Sequence, residues 1–156
     1  MAMYADDTTL YFDIDKFGKS DIINNELMKK INLMEKYPVY TKEILKANTK
    51  FKNVDEFIEA LKQKVEADEI ATYIWVFDHF EHTANIGGEI MDGIIAGKIL
   101  LFCFGQSIPK PQAMAVRPRN IAIAEFEDKF VVSFLEAPVE KANTKKIDWI
   151  IEHIED

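Results

Sequence analysis

Arginine is nearly absent from this 156-residue chain: Arg117 and Arg119 are the only two among 19 basic residues, and nowhere do lysines gather into a block. A net charge of −8 without a basic stripe leaves nothing to track a phosphate backbone, so nucleic acid is not an expected partner. No basic amphipathic face is present either, which argues against an anionic membrane surface. Cysteine is as scarce. Cys103 stands alone, cannot close an internal disulfide, and reads as a small hydrophobe in an apolar strand, which suits a reducing cytoplasm. The apolar runs fall far short of the roughly 18 residues that cross a bilayer, and no charged, apolar, small-residue leader opens the chain. A soluble, unprocessed cytoplasmic protein is the expectation. With 6 glycines and 5 prolines there is no low-complexity tract, no interdomain linker and no phosphate loop beyond the bare Gly87-Gly88. Ser107 and Ser133 lie in no nucleophile-elbow pattern, and Phe102 and Phe104 argue against Cys103 as an exposed nucleophile.

What the chain does have is a 48% apolar composition, enough for one domain with a real core. The apolar weight is concentrated between Ile70 and Pro138. Ile70 to Phe77 is rich in β-branched and aromatic residues and predicts a strand. Ile99 to Phe104 is apolar without alternation and is closed by Gly105, which predicts a strand covered on both faces at the centre of a sheet. Ile121 to Phe126 and Phe130 to Leu135 flank the polar Glu127-Asp128-Lys129 and predict a hairpin. Val39 to Leu45 mixes β-branched residues with charges, as a half-exposed strand does.

Helices are predicted at three places. Ile23, Leu27, Ile31 and Met34 recur at helical spacing before Tyr37-Pro38, while Thr8 to Ile14 offers at most an edge strand or arm. Asn53 with Glu56 makes a capping box ahead of Val54, Phe57, Ile58, Leu61 and Val65, all on a single helical face. Ile147, Ile150, Ile151 and Ile154 give a last helix with Asn143 as its cap, which puts Lys145 and Lys146 unfavourably near the positive end. Between these, Ile90 to Ile95 can support a short helix, and Gln106 to Arg119, with three prolines, predicts an extended surface segment. The fold class that follows is α+β: a single domain, residues 37–156, with a mostly antiparallel sheet and helices on one face in the order strand, helix, four strands, helix. Residues 1–36 would add an N-terminal arm and helix as an extension.

Phe77-Asp78-His79 after a strand, Leu101-Phe102-Cys103-Phe104-Gly105 with a proline close behind, Arg117-Pro118 opening a strand, and Glu136-Ala137-Pro138 closing a hairpin resemble the landmarks of bacterial domain-of-unknown-function family 302. The resemblance spans about Pro38 to Pro138 and implies a TATA-binding-protein-like fold with a tendency to dimerise. It carries over no catalytic residue. The chain departs from the family at Gly105-Gln106-Ser107-Ile108-Pro109 and at Arg117.

Two polar clusters are candidate ligand-binding sites. Asp78, His79, Glu81 and His82 crowd the end of a strand, a common position for working residues. If the segment is helical, His79 and His82 share a face and can bind a divalent metal with Glu81 or Glu89, although the spacing matches no zinc-protease motif; otherwise the cluster is a solvated turn. Arg117 and Arg119 flank Pro118, and in an extended segment they point the same way, presenting two planar forks to a carboxylate, phosphate or other oxyanion. The competing reading pairs them with Glu125, Glu127 or Glu136. A simple meander would hold the two clusters at opposite ends of the sheet, whereas a crossover after Asp78 would change that. The expected function is non-enzymatic, without a cofactor: binding of a small anion or a protein partner by a homodimer. A metal-dependent enzyme using His79 and His82, with Glu81 as base, is the alternative, and a purely structural or assembly module a second one.

Overall fold

The computed structural model describes residues 27–154. The core builds from alternation. In β5 (Arg119–Glu125) every second residue is buried, and β6 (Lys129–Leu135) follows with Phe130, Val132 and Phe134 turned the same way. The two pair as the expected hairpin, Ala122 opposite Ser133 and Glu125 opposite Phe130. β2 (Tyr37–Leu45) lies antiparallel on the other side of β6, and β4 (Ala96–Phe104) on the other side of β5. β3 (Ala71–Phe77) and β1 (Lys29–Leu33) complete a six-stranded antiparallel sheet in the order β1-β2-β6-β5-β4-β3.

One face of this sheet is covered by α1 (Val54–Ala67). Its buried stripe is the predicted one, Val54, Phe57, Ile58, Leu61 and Val65, and Asn53 caps it by accepting from the Glu56 amide at 2.9 Å. Each of those side chains contributes roughly 1.5–3 kcal/mol of burial. α3 (Glu140–Ile151) packs beside α1 and seals the same core with Ile147, Trp149 and Ile150. A short helix, α2 (His79–Asn85), follows β3 and rests on β4, where Phe80 meets Gly97. The result is a single α+β domain of the expected class.

Several local expectations give way. Residues 20–26 of the predicted first helix lie outside the described residues, as does the arm at Thr8 to Ile14. Its second half is β1, not helix: Met28 and Lys30 point into the core while Ile31 and Leu33 point away, and the left-handed Met34 and Glu35 turn the chain into β2. The strand was concealed because an inward position holds a lysine, paired with Glu136 at 2.5 Å and lying over the Tyr40 ring. β4 is next to the edge strand rather than central, and only Leu100 and Phe102 are fully covered; Ile99, Leu101 and Cys103 are half-buried on the other face. The short helix sits at His79–Asn85 instead of Ile90 to Ile95, because Gly87 in the left-handed region ends it and the following residues form no helix. Pro111–Val116 coils into 3-10 turns where an extended segment was expected. Asn143 is not a cap: α3 starts at Glu140, which moves Lys145 and Lys146 to mid-helix.

Candidate functional site

Arg119 opens β5 in the inward row of Ile121 and Ile123, so the alternation that builds the core carries a guanidinium into it. The residue is only 8% exposed. Its Nη1 donates to the Val116 carbonyl at 2.7 Å and its Nη2 to the carbonyls of Leu135 and Glu136 at 3.2 Å. Among the described residues its buried Nε has no partner, and no carboxylate of theirs pairs with the guanidinium. The acids that could have done so are otherwise placed. Glu125 accepts from Lys46 and from the Val54 amide, both at 2.7 Å, the Glu136 carboxylate takes Lys30, and Glu127 is exposed at the hairpin turn. Burial lowers the Arg119 pKa from its ordinary value.

A second cation stands behind it. Lys146, fully buried in α3, directs its Nζ to the same Leu135 carbonyl at 3.3 Å and lies 4.0 Å from the centre of the Phe134 ring. Burial, and next the charge of Arg119, push its pKa well below 10.5.

In front of Arg119 is a cavity of about 410 Å³ between the ends of β4 and β5 and the start of α3. Arg117 shares its wall, anchored by an Nη1 bond to the Ser107 carbonyl at 2.5 Å, and Lys141 and Lys145 add two more cations. Lys145 is paired with Asp68 at 2.8 Å. The rest of the wall is apolar, with Ile70, Phe104, Val116, Pro138 and Val139 prominent, and among the described residues no acidic, hydroxyl or amide side chain lines it. Val139 offers α3 no side-chain cap, and the start of that helix, with Glu140 in its first turn, stands beside the guanidinium pair.

The histidine cluster is elsewhere. Its strand end, Phe77, pairs with Ile99 near the start of β4, whereas Arg119 pairs with Phe102 toward the other end. With the connection forming a short helix between antiparallel neighbours, there is no crossover, and the two clusters share no cavity. Asp78 caps α2 by accepting from the Glu81 amide at 2.9 Å and lies 3.8 Å from Lys98. His79 bonds Thr83 at 3.0 Å and lines a second cavity of about 320 Å³ over the sheet's other face; His82 packs on Phe77. The two imidazole rings are 6.3 Å apart, and among the described residues no group of three or more His, Cys, Asp or Glu is placed to hold a metal ion.

Sequence reasoning missed Lys146 and the Asn143 side chain, which clamps both main-chain groups of Ala137 at 2.7 and 3.1 Å and so fixes one cavity wall. The available signal was the spacing of both from Ile147 and Ile150, which places them near the apolar face of α3. The sequence model of a family described as a family of unknown function (DUF6858) matches residues 28–155. Neither a curated protein nor a solved structure matches the chain.

Proposed function

The chain belongs to DUF6858, a family of unknown function, and on that footing we propose that it is a non-enzymatic domain that binds a small anion in the Arg117–Arg119 cavity and self-associates through its sheet. The observation that carries the reading is a buried guanidinium beside a cavity, with no carboxylate among the described residues to answer it. A charge withdrawn from water without a counterion is costly, and main-chain carbonyls offset only part of that cost. An anion in the cavity supplies the rest, meeting Arg117, the field of Arg119 and the uncapped start of α3. The local likeness to bacterial family 302, with its TATA-binding-protein-like fold, belongs to this reading as to fold alone; the strand and helix order supports it, and a shared fold carries no activity.

Isothermal titration of the full chain with phosphate, sulfate and small carboxylates tests the proposal. Saturable binding of at least one is expected, with Arg117→Ala weakening it about tenfold, the scale of one charge-assisted hydrogen bond. No heat and no thermal shift with any of the three would sink it.

A further inference from the structure

The cavity's wall says which anion it suits. Sugars and nucleosides need acceptors for their hydroxyls, and amino acids need an acid for their ammonium, yet among the described residues no side chain on the wall can accept a hydrogen bond. A free phosphate or sulfate would satisfy the arginines but leave most of the roughly 410 Å³, and the apolar surface of Ile70, Phe104, Val116 and Val139, to water. A ligand with a charged head and an apolar body covers both, and a planar head matches the arginine fork.

We infer that the cavity takes a small amphipathic acid, a carboxylate bearing an apolar tail; this rests on the anion reading above. The head meets Arg117 and the start of α3, and the tail lies along the apolar wall.

Phe104 provides a reporter. It lies on the wall and stacks on Trp149 with ring centres 5.9 Å apart, while the other tryptophan, Trp75, is far more exposed. Tryptophan fluorescence of a Trp75→Phe chain therefore follows the cavity. Titrations would compare acetate, butyrate, hexanoate, hexanol and phosphate, with isothermal titration alongside. Affinity is expected to rise from acetate to hexanoate, by as much as about fourfold per methylene buried. Hexanoate should bind at least about tenfold tighter than hexanol, and Arg117→Ala should remove most of that difference. Phosphate or acetate binding as tightly as hexanoate would overturn the tail while leaving the anion reading standing. Hexanol matching hexanoate would overturn the anion reading itself, and no binding by any probe would end both.

Discussion

Lys146 is the residue whose environment departs furthest from what its chemistry prefers. Its ammonium is fully buried, has no carboxylate partner among the described residues and shares the Leu135 carbonyl with Arg119. Because the folded pKa lies below the ordinary 10.5, the unfolded chain binds more protons in the window between the two values, and stability rises with pH there. Below the folded value both states are protonated and the burial penalty is borne in full. Lys146→Met keeps an unbranched side chain, one atom shorter, and removes the charge. It is expected to stabilise the fold at neutral pH by about 1–2 kcal/mol and to abolish the rise in stability toward alkaline pH, read by urea unfolding across that range. Loss of stability at neutral pH would show instead that the cation on Phe134 outweighs its burial. Lys146, Lys30 and Arg119 also mark where reading by residue type fails. Each is buried at an inward position of its element, and charge by itself suggests the surface.

At the scale of elements, the junctions decide where the cavity stands. Asp68 ends α1 and starts β3: its Oδ2 accepts from the amides of Ile70 and Ala71 at 2.9 and 2.8 Å, and its Oδ1 meets Lys145 of α3. Burial alone would raise its pKa, but Lys145 and the two amides outweigh it and hold the carboxyl below 3.8. The stabilisation is therefore present at neutral pH and lost as pH falls through that lowered value. Asp68→Asn is expected to cost about 1–2 kcal/mol at pH 7, with the gap from the parent closing as the parent's carboxyl protonates. A gap independent of pH would assign the loss to packing. The elements differ in how plainly the sequence announces them. α1 was legible because five apolar residues and a capping Asn agree on one helix face. β1 was not, since Ile31 and Met34 fit the helical spacing begun by Ile23 and Leu27 while the inward Lys30 broke the strand alternation. The paired arginines could be read directly from Arg117-Pro118-Arg119; the cavity they face could not, because its other walls come from Ile70 and the start of α3, far along the chain.

For the whole molecule, the unequal covering of the two sheet faces matters most. α1 and α3 close one face, whereas on the other, outside the corner held by α2, apolar side chains stay open: Trp75 is 58% and Tyr37 51% exposed, and Leu33 and Leu135 lie on the same face. The sheet's edges are less suited to joining copies. β1 is only five residues long and carries Lys29 and Lys30, and β3 is interrupted by a register shift between Tyr73 and Trp75. Self-association in the proposal therefore runs face to face, burying Trp75 and Tyr37 against a second copy. Each copy carries a net charge of −8, so added salt, by screening the repulsion, should strengthen the dimer rather than weaken it. Light scattering at micromolar concentration is expected to give twice the monomer mass, rising toward completion with sodium chloride. Trp75→Ser with Tyr37→Ser, both at exposed positions and so compatible with the fold, should return the chain to a monomer. A dimer that survives both substitutions would move the contact off this face, and a monomer at every salt concentration would leave the arginine cavity as the molecule's one proposed contact with a partner.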